Sequence, residues 1–116
     1  MKICHLEGVI VSDKYQGKGI ASEMVRRAVG DSDVLAFHTQ SKKMLNLGRK
    51  ISEEDVSLTM EVADVIHTRN QQGLLDIRRY GGSCLYGDTT RFAESAIEEG
   101  DWQKGDARIF AGFIRR

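Results

Sequence analysis

The length, composition and charge of this chain indicate one soluble folded domain. Its 116 residues are 41% hydrophobic and 29% charged, which excludes a disordered chain, and residues 1–116 are expected to share one core. The 17 basic residues equal the 17 acidic ones, so the overall charge predicts neither nucleic acid nor an anionic membrane as a partner.

The first third of the chain predicts a strand, a helix and a second strand. Residues 4–11 are β-prone and precede a polar turn. The helix that follows is amphipathic and is expected to end at Gly30. Its apolar residues recur at helical spacing: Ile20, Met24, Val25 and Ala28. A short apolar run at 34–38 predicts the second strand, so this part has the pattern of a parallel crossover.

The middle of the chain predicts two further helices. One begins over residues 41–47, and Gly48 is expected to stop or break it. Ser52 is followed by three acidic residues and resembles a helix N-terminus, where the helix dipole favours negative charge. The helix that begins there is expected to run to Thr68.

The last part of the chain predicts a hairpin, a helix and a closing strand. Residues 74–77 and 84–86 flank two glycines and form the predicted hairpin. Capping residues at 88–90 precede a predicted helix over 92–97. Residues 108–114 are strand-like and are expected to close the sheet. The predicted fold class is α/β, with a mixed sheet of the α+β kind.

A glycine loop between the first predicted strand and helix carries the functional argument. Gly17 and Gly19 lie just before the helix. The first turn of a helix leaves about four amide donors without internal partners and carries the positive end of the dipole, so it attracts an anion. Glycine lets the backbone come close to that anion. The residues alone therefore predict a generic anion loop, because the usual nucleotide-binding fingerprints are absent.

The spacing of Gln16, Gly19 and Ala21, with Val9 and Val11 before them, resembles the Gln/Arg-x-x-Gly-x-Gly/Ala motif of the GNAT superfamily of N-acetyltransferases. The resemblance covers residues 5–48. It implies a core of strand, pyrophosphate loop, helix and strand that uses acetyl-CoA as cosubstrate. Family members usually have several more strands and helices before the motif strand. The resemblance therefore implies one of three possibilities: a compact relative, a shortened one, or one that borrows strands from a partner.

The resemblance assigns cofactor-binding roles. The loop is expected to hold the CoA pyrophosphate through backbone amides, and the strand before it is expected to pair with the pantetheine arm. Ser41 stands where the family commonly has Asn. The implied residues are Val9, Ile10, Val11, Gln16, Gly17, Lys18, Gly19, Ile20, Ala21 and Ser41.

Catalytic groups are expected on the motif strand and in the glycine-rich stretch. Many relatives place a carboxylate where Glu7 stands, to take a proton from the attacking amine; the alternative is a solvent-facing Glu. His5 shares its face and is a second candidate. The helix after Gln40 lacks the Tyr that often protonates the departing thiolate, so Cys84 and Tyr86 become the candidate acids. Packing is the alternative for Cys84.

Three functions stay open at this point. The first is acetyl transfer to an amine on a small molecule or peptide, whose identity the sequence does not specify. The second is a non-catalytic module that binds CoA or another phosphate ligand. The third is a small assembly module in which the glycine loop is only a tight turn.

The missing N-terminal strands predict an uncovered sheet edge. A homodimer is therefore expected, through that edge or through the predicted helix over 52–68; the alternative is that residues 108–114 cover the edge within the chain. That helix has a wide apolar face: Val56, Met60, Val62, Ala63 and Ile66.

The cysteine content and the N-terminus predict a cytoplasmic protein. Cys4 and Cys84 do not form a disulfide framework, and we expect both to be reduced thiols. Polar residues interrupt any apolar run near the N-terminus, so neither a signal peptide nor a membrane span is predicted. The His and Cys residues lack metal-ligand spacing, so no metal is expected.

Overall fold

The computed structural model describes residues 1–6, 18–63, 74–76 and 93–116. Within these residues the chain forms eight regular elements: β1 Ile3–Leu6, α1 Ile20–Val29, β2 Val34–Thr39, α2 Lys42–Ile51, β3 Ser52–Glu54, α3 Val56–Ala63, β4 Leu75–Asp76 and β5 Ala107–Ile114. Two 3-10 turns, Ala93–Ser95 and Trp102–Lys104, lie before β5. No helix of the described residues has the length and hydrophobicity needed to cross a membrane.

The strands form one mixed sheet in the order β1-β2-β5-β3, with β4 also paired to β5. β1 and β2 are parallel, with Ile3 opposite Val34 and Leu6 opposite Phe37. β5 is antiparallel to its neighbours. The predicted mixed sheet of an α+β fold and the parallel crossover from β1 through α1 to β2 are therefore confirmed.

Side chains from the two faces of the sheet enter two separate clusters. Because successive residues of a strand point to opposite faces, β2 contributes to both clusters. One cluster joins α1 and α2 to the sheet: Val25, Val29, Leu35, Phe37, Leu45, Ile51, Ile97 and Phe110. The other joins α3 to the sheet: Val34, Ala36, Leu58 and Ala111. Hence α1 and α2 cover one face, and α3 covers part of the other.

The end of α1 agrees with its sequence signal. Gly30 has a φ of 52°, and its amide donates to the carbonyl of Arg26 at 3.2 Å. Val25 and Val29 are the buried residues of the helix. The predicted stop at Gly30 is confirmed, since glycine adopts positive φ without the steric cost that a side chain brings.

The prediction that Gly48 stops or breaks the second helix is wrong. α2 continues through Gly48 to Ile51. A Cβ at position 48 would lie 2.7 Å from Cζ of Phe37 and 3.3 Å from Cε1 of Phe110. Glycine is therefore needed at this point because two aromatic rings come close to the helix backbone, and this contact is not visible in the local sequence.

The predicted helix start at Ser52 is also wrong. Ser52–Glu54 forms β3, and the buried Ser52 hydroxyl donates to the carbonyl of Gly48 at 2.8 Å. The cap of α3 is Asp55, whose Oδ1 accepts from the amide of Leu58 at 2.8 Å. Pairing of β3 with β5 decides this order of elements. Residues 64–68 of the predicted helix lie outside the described residues.

The closing strand is confirmed, and the alternative in which it covers the edge of β1 is wrong. β5 pairs with β2, β3 and β4, so it does not cover the edge of β1. No strand of the described ranges lies on the outer side of β1. β5 prefers β2 because Phe37 and Phe110, directly opposite each other, stack with ring centroids 4.8 Å apart.

The described residues just before β5, 93–106, are less regular than predicted. The helix predicted over 92–97 is wrong for its described residues, which form a 3-10 turn at Ala93–Ser95 followed by Ala96 bridged to Ser41. The bridge and a bond from the Ile97 amide to the Gln40 carbonyl, 3.0 Å, compete with helical pairing. β4 pairs with β5, whereas its predicted hairpin partner at 84–86 lies outside the described residues.

Candidate functional site

The first turn of α1 is the part of the predicted anion loop that the structure describes. Gly19 is the N-cap residue with a φ of 76°, in the left-handed region that glycine visits at little cost. Its carbonyl accepts from the amide of Glu23 at 3.1 Å. In the described part of the chain no side chain caps the helix at Gly19. The amides before Glu23 therefore lack intrahelical acceptors.

Among the described residues, no atom lies within 4 Å of a Cβ built on Gly19. The positive φ of Gly19 is therefore the reason for glycine that these residues show. Ile20 and Ala21 are half-buried, and Lys18 is exposed. Glu23, the acid of the first turn, is paired with Arg27 at 2.6 Å. The turn thus combines accessible amides with the positive end of the helix dipole.

The two helix starts lie at one edge of the sheet. β1 and β2 are parallel, so their carboxyl ends meet at the same edge, and α1 and α2 follow these ends. Ligands of open α/β sheets bind at such edges. Ser41, a predicted cofactor residue, caps α2 instead: its Oγ accepts from the amide of Met44 at 3.4 Å. The cap of α2 is occupied by its own side chain, which distinguishes it from the start of α1.

His5 is the candidate catalytic residue that the structure describes. It is exposed near the end of β1, opposite Ala36 of β2, and its ring centroid lies 6.1 Å from that of His38. Both imidazoles are on the α3 face of the sheet, because Ala36 belongs to the α3 cluster.

The remaining predicted site residues lie outside the described residues. They are the candidate catalytic residues Glu7, Cys84 and Tyr86, and the cofactor residues Val9, Ile10, Val11, Gln16 and Gly17. Of the predicted cofactor residues, the structure brings Lys18, Gly19, Ile20 and Ala21 together at the start of α1. Cys4 is a free, half-buried thiol whose Sγ lies 3.6 Å from the carbonyl oxygen of Ala28.

A buried arginine was not predicted as an anchor of the fold. Arg108 is 5% exposed, and its guanidinium donates to the carboxylate of Glu54 and to the carbonyl of Ile109. Its Nε lies 3.8 Å from Glu99, and Glu54 also accepts from Arg49 at 3.2 Å. Paired charges are what burial of an arginine requires. The available sequence signal was one cation in an otherwise apolar strand.

A shallow groove of about 160 Å³ lies beside α2. Its walls carry both signs of charge, with Lys42 and Arg49 on the helix and Glu98 and Glu99 across from them. Among the residues that the structure describes, no three His, Cys, Asp or Glu side chains converge as metal ligands would.

The fold and this site define an α+β protein with an open helix start at the carboxyl edge of two parallel strands. No protein-family model matches the chain, and no curated protein or solved structure does so either. Its function is therefore inferred from its own residues and their geometry.

Proposed function

We propose that this protein binds acetyl-CoA at the start of α1 and transfers the acetyl group to an amine. The observation that carries the proposal is the first turn after Gly19, where no side chain caps the helix and no atom of the described residues lies within 4 Å of a Cβ built on the glycine. Amides without partners at the positive end of a helix dipole favour a bound phosphate. The spacing of Gln16, Gly19 and Ala21, which resembles the GNAT motif, favours the CoA pyrophosphate as that phosphate group.

The position of the turn in the fold supports the same proposal. A ligand at the carboxyl edge of β1 and β2 would meet the start of α1 and the residues that follow Leu6. A pyrophosphate on the helix would place the pantetheine arm along the residues after Leu6. The resemblance gives this role to Val9, Ile10 and Val11.

The proposed reaction is a direct attack of the amine nitrogen on the thioester carbon. The C–N bond forms and the C–S bond breaks, without a covalent intermediate on the protein. Glu7 takes a proton from the amine, directly or through water, and Cys84 or Tyr86 donates a proton to the departing thiolate. A backbone amide near Val9 or Ile10 stabilises the oxyanion. Holding both reactants in place supplies much of the rate.

The second candidate is a module that binds CoA or another phosphate ligand without catalysis. One observation favours it: α2 has no tyrosine among its ten residues, and its family counterpart often supplies the acid for the thiolate. Binding at the start of α1 requires no acid or base, so it would survive the loss of catalysis.

Binding is tested by calorimetry with acetyl-CoA. Gly19→Asp places a carboxylate at the anion site, and we expect CoA affinity to fall at least about tenfold, because charge repulsion replaces attraction at the helix start. Gly30→Asp is the matched control, since it makes the same change at a positive-φ glycine at the other end of α1. Circular dichroism checks that both variants fold. Wild type that does not bind CoA, or equal binding by Gly19→Asp, would refute the proposal.

Catalysis is tested separately by mass spectrometry of a panel of amines with acetyl-CoA. We expect Glu7→Gln to lower turnover while CoA affinity is retained, because the carboxylate acts on the amine and not on the cofactor. The pH profile should lose its dependence on the base. His5→Gln is the control from the same strand, and an equal effect there would shift the role to His5. CoA binding without any acetylated product would favour the non-catalytic module.

A further inference from the structure

The solvent face of α2 carries an unusual charge distribution. Its ten residues include four cations and no carboxylate: Lys42, Lys43, Arg49 and Lys50. Leu45, Gly48 and Ile51 are buried against the sheet, so the opposite side of the helix faces solvent. Arg115 joins these residues at the end of α2, where its Nε donates to the carbonyl of Arg49 at 3.3 Å. We call these five cations the basic ridge.

Most of the basic ridge is not used for internal ion pairs. Arg49 is paired with Glu54 at 3.2 Å. Among the described residues, no carboxylate forms an ion pair with Lys42, Lys43 or Lys50. Lys42 and Lys43 also occupy the first turn, where the helix dipole disfavours positive charge. Contacts within the described part of the fold therefore do not explain why lysine occupies these positions.

The zero net charge of the chain conceals an uneven distribution of charge among its elements. The segment that forms β3 and α3 contains only acidic charges, Glu53, Glu54, Asp55 and Glu61, of which Glu54 is paired with Arg49 and Arg108. α3 lies on one face of the sheet and α2 on the other. The expectation from total charge, that nucleic acid is not a partner, concerned the global field and left a local basic cluster open, and α2 carries such a cluster.

The basic ridge is linear. Among the described residues, carboxylates offset its positive charge on one side and not on the other. Glu98 and Glu99 lie across the groove from Lys42 and Arg49 and offset their charge. Lys43 and Lys50 are seven residues apart, so they point in nearly the same direction and are separated by about 10 Å along the helix. That length matches about three phosphates of one nucleic-acid strand.

We propose that the basic ridge binds the phosphate backbone of nucleic acid. The large hydrophobic residues that are exposed in the described ranges all lie outside it: Met1, Ile3, Met24, Val56, Met60 and Phe113. The ridge therefore lacks the apolar anchors typical of protein interfaces and the residues that insert into membranes. Contacts to phosphates alone predict binding without sequence preference and with strong salt dependence.

The test is fluorescence anisotropy with a labelled duplex of mixed sequence over a series of salt concentrations. We expect Lys43→Gln/Lys50→Gln to weaken binding and to reduce the slope of log Kd against log salt by nearly two, because each phosphate contact contributes about 0.9. Lys2→Gln/Lys104→Gln is the control, since it removes the same charge outside α2. A single-stranded probe shows whether the ridge distinguishes the two forms of the backbone.

Three results would overturn the proposal: no duplex binding at low salt, an equal loss in the control, or tighter binding to phosphatidylserine vesicles or polyglutamate than to the duplex. Calorimetry of Lys43→Gln/Lys50→Gln with acetyl-CoA distinguishes failure of this proposal from failure of the proposed enzyme function. Retained CoA binding with lost duplex binding is expected, because the substitutions on α2 leave the residues of the first turn of α1 unchanged.

Discussion

Gly48 lies where α2 crosses the stacked rings of Phe37 and Phe110. The two ring planes are 15° apart, and both side chains are buried. A Cβ at position 48 would be too close to the Phe37 ring, at 2.7 Å. This glycine lowers the helix propensity of α2 and in return lets the helix approach the sheet. The loss of helix propensity is a local property of α2, whereas the close approach depends on the strands that carry the two rings.

We expect Gly48→Ala to destabilise the protein by about 1–3 kcal/mol, because overpacking against the rings outweighs the gain in helix propensity. Urea unfolding measures this difference. Asn46→Ala, exposed on the same helix, is the control and should change stability by no more than about 0.5 kcal/mol. Adding Phe37→Leu should recover part of the loss, whereas full additivity would contradict the proposed clash.

Lys2 and Asp31 form an exposed ion pair at 2.5 Å. The hydrogen bond from Lys2 lowers the pKa of Asp31 and raises that of Lys2. Because the folded pKa of Asp31 is depressed, its contribution to stability is present above the unfolded pKa and is lost as the pH falls through the folded pKa. For Lys2 the contribution is lost as the pH rises through its raised pKa.

An NMR titration of the Asp31 carboxyl group tests this pair. In Lys2→Met we expect the pKa of Asp31 to rise toward its ordinary value, because the donor and the positive charge are removed. Lys104→Met should leave the pKa of Asp31 unchanged. The same pKa in wild type and Lys2→Met would show that the pair does not persist in solution.

At the scale of elements, the start of α3 shows that contacts with the sheet determine which residue caps a helix. Asp55 accepts from the amide of Leu58, and its own amide donates to the carbonyl of Ala111 on β5 at 3.0 Å. Thr59 Oγ1 lies 3.2 Å from the amide of Ala111, which donates to it. The start of α3 is therefore tied to the sheet, and β3 occupies the three residues where the sequence predicted the first turn.

We expect Asp55→Ala to cost about 1 kcal/mol, the usual loss when an N-cap side chain is removed. Asp55→Asn should retain most of the stability, because asparagine caps about as well as aspartate. Urea unfolding of both variants makes the comparison. Equal losses in the two variants would mean that the charge of Asp55, and not its cap hydrogen bond, stabilises α3.

At the scale of the whole molecule, the sheet leaves the outer edge of β1 without a partner among the described strands. On the α3 face, Val56 is 56% exposed and Met60 is 38% exposed. Edge strands and apolar helix faces of this kind favour association between copies. We therefore propose that the protein forms a homodimer through β1 or α3.

Light scattering should report about twice the 13.0 kDa chain mass at high protein concentration if this proposal holds. We expect Met60→Lys to shift the population toward the monomer when α3 is the interface, because a charge then enters an apolar contact. Met24→Lys is the matched control, because Met24 is an exposed methionine on α1, at 46% against 38% for Met60. A monomer at every concentration would rule out the dimer.

Local patterns in the sequence determined β1, α1, β2 and the strand character of β5. Each of these elements has its own pattern of apolar residues, and a glycine lies at each end of α1. The same local information located the candidate site, because a glycine before a helix start is visible in a few consecutive residues. The charge of the two faces was not visible, since total charge does not show which residues share a surface.

The tertiary structure alone decided the features that join distant residues. Position 48 of α2 requires glycine because the rings of Phe37 and Phe110 are close, and Ser52 is in a strand because it pairs with Ile114. Buried Gln40 donates to the carbonyls of Trp102 and Asp106 at 2.9 and 3.0 Å. The pairing of Arg108 with Glu54 is of the same kind. Such contacts depend on which elements become neighbours in the sheet, and a local window of sequence does not contain that information.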